Sequence, residues 1–330
     1  MTVPAFLSID VEPDGFQLAR PGQPTWGGWR SVLETTDCLR AALAARTGVR
    51  PAFGWYVRTD PQIAEAAGRA DDALVRFPER AARLRDAGDY FGVHAHPVRW
   101  SPDRGIWVHD FADADFHAHT VRFALDAFAR WAGAPATRYR AGAGFLTNGM
   151  VEALDQCGVA VELGLEPVAG WGLAASAVPS GVDESPIVGR YTDCQGSPRV
   201  AYRPARHDFR VNGGRRGRRL VMIPVASRSL APEPPLWKRA ARRVLGRPWQ
   251  PRVEVLYPTD ERLAPHAYWD AVAAELDSMR RPYVSLGIRT DAPDSDVAVR
   301  VQRLFEALPT HPLAERLRFV DPVEAAPALA

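Results

Sequence analysis

The chain has 330 residues, 46% of them hydrophobic and 24% charged, with a formal net charge of +2. This is the composition of an ordinary soluble globular protein, and the charge is too small to mark a nucleic-acid partner. No segment approaches the ~20 consecutive apolar residues of a membrane span. Cys38, Cys157 and Cys194 lack CxxC spacing, which gives neither a disulfide framework nor a zinc knuckle.

Taken in chain order, apolar runs alternate with amphipathic stretches, the mark of a parallel α/β sheet or barrel. Met1 to Leu7 lacks a basic leader and a long apolar core, so the reading is a cytoplasmic protein that enters its first strand, Pro4 to Asp10, directly. Ser31 to Arg46 reads as a helix, Pro51 to Val57 as strand two, and Asp60-Pro61 as a helix start. Ala81 to Ala87 closes that helical region before strand three, Tyr90 to His94. Asp113 to Trp131 is a long helix, Thr137 to Ala141 strand four, Asn148 to Gln156 a helix ended by Gly158, and Val159 to Leu163 strand five.

From Glu166 to Arg206 the pattern breaks into Gly, Pro and Ser, a long connection of a kind that is often functional. Phe209 to Val211 and Leu220 to Pro224 read as a hairpin. Leu236 to Leu245 reads as a short basic amphipathic helix, able to rest on an anionic membrane or simply to cover the surface. Ala267 to Arg280 and Asp296 to Leu308 are helices, and Tyr283 to Ile288 and Arg318 to Val320 strands. About seven βα units without a repeat or linker predict one α/β domain over residues 1–330. A barrel is favoured over an open sheet, with a small hairpin and helical insertion at about 166–251 in the C-terminal half. Lys238 is the only lysine, and with the many Ala and Pro this reads as GC-rich codon usage rather than phosphate recognition.

In a strand, side chains i and i+2 share a face. Asp10 and Glu12 therefore point together, and so do His94 and His96, each pair where a strand runs out. Zinc takes imidazole nitrogens and carboxylate oxygens and keeps an open position in catalytic sites. Two carboxylates and two imidazoles so placed could form a metal-assisted hydrolase site. Asp14 would join that face only if the strand ran past Pro13, and Pro13 argues that it stops. Arg58 and Asp60, at the end of strand two, face the same rim of a barrel and read as substrate contacts, although Asp60 equally suits a helix cap.

Three motifs occur in order: Asp10-Val11-Glu12; Gly88-Asp89-Tyr90-Phe91-Gly92-Val93-His94-Ala95-His96-Pro97; and Tyr139-Arg140-Ala141-Gly142, followed by the helix to Gln156 and Gly158-Val159. Together they resemble the polysaccharide deacetylase superfamily, carbohydrate esterase family 4 with its NodB-homology domain. The resemblance spans roughly Pro4 to Leu163. It implies an irregular (β/α)7 barrel resembling a TIM barrel, a divalent metal that is usually zinc, and hydrolysis of an N-acyl group on an amino sugar or glycan. Related branches act on cyclic amides and ureides. Residue by residue it implies Asp10 as base, Glu12 and His94 as metal ligands, and Arg140 as the residue that pairs with and orients the base.

Two departures stand out. The commoner second motif is H-x-x-x-H, but position 98 is Val98, and His96 is offered instead in an H-x-H-P form. The late motif, a strand ending in Leu-His, should supply a general acid, yet Val284 to Arg289 contains no histidine. His207, after the long loop, is the candidate replacement, with Tyr202 and Arg203 as substrate contacts. His117 and His119, on a predicted helix, read as surface residues. Trp26, Trp29, Trp55, Trp100, Trp107 and Trp171 fall near predicted loops, where rings either stack on sugars or pack the core. The expected activity is N-acyl hydrolysis on an amino sugar. The alternatives are hydrolysis of another C–N bond, such as a formamide or cyclic ureide, and a degenerate barrel that binds a glycan without turnover. The sequence leaves the oligomeric state open.

Overall fold

The computed structural model describes residues 2–168, 187–230, 252–291 and 296–330, together with Pro235, Trp237 and Val244. Val3–Val11 forms β1 and is buried except at Pro4, as befits an apolar run in a parallel sheet covered on both faces. Helix α1 (Gly27–Thr47) leads to β2 (Gly54–Arg58); α2 (Pro61–Ala67), α3 (Asp72–Arg76) and α4 (Pro78–Asp86) lead to β3 (Tyr90–Ala95). A hairpin of β4 (Val98–Ser101) and β5 (Ile106–Phe111) precedes α5 (Ala114–Ala132), β6 (Arg138–Ala141), α6 (Asn148–Gln156) and β7 (Val161–Glu162). Then come β8 (Ile187–Gly189), β9 (Val221–Met222), β10 (Ser227–Ser229) and β11 (Val253–Val255). The last elements are α7 (Pro265–Ser278), β12 (Val284–Arg289), α8 (Asp296–Ala307), β13 (Leu317–Phe319) and α9 (Pro322–Leu329).

Seven strands pair in the order β12-β1-β2-β3-β6-β7-β9, all parallel, with β13 beside the start of β1. The sheet curls into a (β/α)7 barrel. Beyond β9, Ala226 N donates to Ser285 O of β12 at 2.8 Å and links the two ends of the sheet. Register puts Asp10 beside Arg289 and Tyr56, and His94 beside Arg58 and Arg140, so these side chains share the inner face. Deeper inside, Phe6, Tyr56, Tyr90, Val161, Val221 and Tyr283 pack together, and Ala326 and Leu329 of α9 join them from below. A filled interior leaves the strand ends as the place for chemistry.

Strand boundaries follow the sequence closely in the first half of the barrel, and three local expectations are corrected. Residues 209–211 and 220–224 are not a hairpin. Val221–Met222 is the seventh barrel strand, because Val221 N and Ile223 N donate to Ala160 O and Glu162 O across from β7. The hairpin β4–β5 had no counterpart in the reading, although Val98 and Trp100 face His109 and Trp107 about a turn with Gly105 at φ 63°. Helix α1 starts four residues before Ser31, because the Asp14 carboxylate accepts from Gly27 N (2.6 Å) and Gly28 N (2.9 Å), a cap supplied from thirteen residues upstream. Among the described residues no helix is long and apolar enough to cross a membrane. Of the basic segment 236–245 only Trp237 and Val244 are described, and both are exposed.

Glu162 closes β7 on the outer face, fully buried beside Tyr139. Burial raises its carboxyl to about 7, although backbone N–H groups of Gly164 and Ala141 and the charge of Arg140 pull the other way. Above its ordinary value near 4.5 the unfolded chain ionises while the folded one stays protonated, so stability declines as pH rises through about 7. Glu162→Gln keeps an oxygen for both backbone donors and removes that decline. Its stability gain over wild type should grow by on the order of 3 kcal/mol between pH 4.5 and 8. Urea midpoints at the two pH values measure this; an identical difference at both would refute it.

Candidate metal and catalytic centre

The end of β1 is clamped to the end of β12. Thr290 Oγ1 accepts from Glu12 N (2.8 Å) and donates to Glu12 O (3.0 Å), while Thr290 N donates to Asp10 O (3.1 Å). This carries the alternation of β1 one residue past the strand and turns Glu12 inward with Asp10. Asp14 is occupied in capping α1 and does not join them.

Glu12 Oε1 lies 3.2 Å from His94 Nε2 and 3.2 Å from His96 Nε2, and the two imidazole nitrogens are 3.0 Å apart. All three residues are buried. They are the one His/Cys/Asp/Glu trio with metal-ligand spacing among the described residues. The His94 ring is fixed from behind, where Nδ1–H donates to Arg140 O at 2.9 Å; that tautomer leaves the Nε2 lone pair facing Glu12. Gly142 permits the tight approach on the other side, since a Cβ there would lie 2.3 Å from His96 Cδ2. Burial pushes the His96 imidazole well below its usual range, reinforced by the Arg58 charge. Burial alone would raise Glu12, but His96 and Arg289 nearby and the His94 and His96 hydrogen bonds hold it well below the usual carboxylate range. A carboxylate oxygen and two imidazole nitrogens that converge in this way fit a divalent cation.

Asp10 lies beside this trio, its Oδ1 3.7 Å from His94 Nδ1. Arg140 Nε is 2.9 Å from both carboxylate oxygens, with the aligned hydrogen bond to Oδ2, and Arg140 Nη1 donates to Leu163 O at 2.6 Å. Oδ1 is buried and makes no hydrogen bond among the described residues. Gly287 follows Leu286 on β12 and gives Arg140 its room. A Cβ at that position would lie 2.2 Å from Arg140 Nη2, so the guanidinium occupies the space of a side chain on β12.

Arg58 and Asp60 come to the centre but lie beneath it. Both are fully buried. Arg58 donates to Glu12 Oε2 (2.9 Å), Asp60 Oδ2 (2.6 Å) and Gln62 Oε1 (2.6 Å), and its charge holds Glu12 from below. Asp60 caps α2 through Ile63 N and also accepts from His96 N at 3.0 Å. Their polar groups face protein, and where substrate contacts were expected they instead brace Glu12 and the His96 backbone. Tyr202 is buried, its hydroxyl donating to Phe209 O at 2.7 Å, and offers no face to a substrate. Arg203 is partly exposed and its carbonyl accepts from Gly213 N. His207 is exposed, and its carbonyl accepts from Asn148 Nδ2. Neither Arg203 nor His207 has a side-chain bond to Asp10, Glu12, His94 or His96, so the structure does not bring a His207 acid into the cluster.

Several neighbours escaped the sequence reading. Phe16 lies edge-on to the His96 ring (5.5 Å) and stacked on His109 (4.6 Å), and Arg58 lies over its ring. The loop carrying it is tied down by Gln17, which exchanges two bonds of 3.0 Å with the backbone of Trp107. His109 is buried on β5 with its ring 5.8 Å from that of His96. His117, expected on the surface, is also buried, its Nε2 against Asp110 O at 2.7 Å. Trp26, Trp29, Trp55 and Trp107 are buried packing residues; Trp171 lies outside the described residues.

No protein-family model and no curated protein sequence matches the chain. Solved structures do. One from Parabacteroides distasonis, described as a glycoside hydrolase/deacetylase, aligns with a TM-score of 0.53 at 13% identity over 99% of this chain and 71% of the other. An allantoinase aligns with a TM-score of 0.50 at 12% identity over 98% and 89%. A Mycobacterium smegmatis structure described as a polysaccharide deacetylase reaches 0.47 at 14% identity over 99% and 90%. At these identities the first two alignments establish a shared fold.

Proposed function

We propose that this chain is a divalent-metal-dependent hydrolase that removes an N-acyl group, acetyl foremost, from an amino sugar in a bacterial polysaccharide, glycolipid or natural-product precursor. The observation that carries this reading is the convergence of Glu12, His94 and His96 beside a carboxylate held by Arg140. The deacetylase description of the Parabacteroides structure agrees with it. A second reading, hydrolysis of a cyclic ureide, draws on the allantoinase likeness.

When bound, the metal supplies Lewis acidity that polarises the acyl carbonyl and acidifies water. Asp10 takes the proton of the attacking water as the new C–O bond forms at the acyl carbon. Arg140 aims Asp10 and balances its charge before that step. As the C–N bond breaks, the proton held on Asp10 passes to the departing nitrogen, leaving a carboxylic acid and an amine, with one water consumed. One carboxyl group then serves both ends of the reaction, and no histidine at the end of β12 is required. Arg58 and Asp60 keep Glu12 and the His96 backbone in place throughout.

The test is metal uptake by the purified protein. Wild type should hold about one divalent ion per chain and melt at higher temperature in its presence, because a ligand bound only by the folded state stabilises it. His94→Ala and His96→Ala should lose both the ion and the shift. A wild-type protein that takes up no divalent ion would overturn the reading.

A further inference from the structure

A half-buried carboxylate lies on the rim beyond Arg140 and takes no part in the steps above. Glu166 follows β7, and Tyr257, two residues past the end of β11, donates its hydroxyl to Glu166 Oε2 at 2.5 Å. Two independent contacts place this pair beside the centre. On one side, a Cβ on Gly144 would lie 3.2 Å from Glu166 Cδ and 3.1 Å from the Tyr191 hydroxyl, whereas two residues earlier Gly142 abuts the His96 ring. Residues i and i+2 are at most about 7 Å apart. On the other side, Leu256 N donates to Ala226 O and Ala226 N to Ser285 O, which sets Tyr257 next to β12 two residues before Gly287, where Arg140 crosses.

We propose that Glu166, oriented by Tyr257, is the subsite for the nitrogen of the scissile amide. This rests on the N-acyl hydrolase reading. The amide N–H of the substrate donates to the carboxylate, and the bond strengthens as that nitrogen gains the proton from Asp10 and carries positive charge until the C–N bond breaks and it leaves as an amine, since hydrogen bonds to charged partners are the stronger ones. An interaction that grows along the reaction accelerates it as well as binding the product. The site therefore selects acyl groups carried on an N–H over those carried on an ester oxygen.

Glu166→Gln retains an oxygen for Tyr257 and removes only the charge. With the metal-loaded protein, acetate release from N-acetylglucosamine oligosaccharides should fall about ten- to hundredfold, while release from 4-nitrophenyl acetate changes less than threefold. D-glucosamine, titrated calorimetrically, should bind wild type and bind the variant at least tenfold more weakly. Tyr257→Phe should shift both readouts in the same direction by less. Equal losses on amide and ester, no loss on either, or unchanged glucosamine affinity would overturn the subsite while leaving the hydrolase reading intact. A metal-loaded wild type that releases acetate from neither substrate would instead remove the reading on which the subsite depends.

Discussion

Asp10→Asn lowers acetate release from N-acetylated amino sugars by about 10²–10⁴-fold, the range that general acid–base catalysis contributes. The reason is positional. Asparagine fills the same volume and still offers an oxygen to Arg140 Nε, so the 2.9 Å contact and the strand clamp at Thr290 survive. What disappears is the ability to take a proton from water and return it to nitrogen. The variant should bind the divalent ion as wild type does, because Glu12, His94 and His96 are untouched. The measurement is kcat on the amide substrate, with metal content determined on the same sample. Retention of more than a tenth of wild-type turnover would remove Asp10 from the role of base. Loss of metal alongside turnover would show that Asp10 helps to hold the ion instead.

Arg58→Met destabilises the metal-free protein by about 3–5 kcal/mol, the cost of breaking a buried ion pair by deleting one partner. Arg58 is fully buried, and its three donor nitrogens are each committed to a different acceptor. Methionine preserves much of the packing volume under Phe16 but strands the Glu12 and Asp60 carboxylates in a site that water scarcely reaches. Lysine should restore only part of the loss, since one ammonium cannot reproduce a fork that spans Glu12, Asp60 and Gln62. Urea unfolding in the presence of a chelator reads this directly. A loss below about 1 kcal/mol would mean that water or rearrangement satisfies the two carboxylates.

The sequence revealed the centre where its residues are close in the chain. Asp10 and Glu12, or His94 and His96, announce themselves by strand alternation, whereas Arg140 was offered only by the resemblance to the polysaccharide deacetylase superfamily. The barrel followed from the recurrence of βα units, because each parallel strand needs a crossover and each crossover leaves a helical stripe. What stayed hidden depends on convergence from afar. Arg58 looked like a rim residue because strand position gives direction but not depth, and its three acceptors come from the residue after β1, its own loop and α2. Glu166 and Tyr257 are 91 residues apart, in irregular segments that carry no periodicity to read. Val221–Met222 looked like one arm of a hairpin because a two-residue parallel strand has too few positions to show its partner.

The crossing of Arg140 over Gly287 bears on how such a chain can change with time. Any side chain at position 287 meets the guanidinium, and any loss of the guanidinium leaves Asp10 without its counter-charge. Changes at the two positions are therefore coupled: a side chain at 287 requires the far end of Arg140 to move, and that movement alters its hold on Asp10. Substitutions at 140 and 287 should be non-additive, since both act through the same guanidinium.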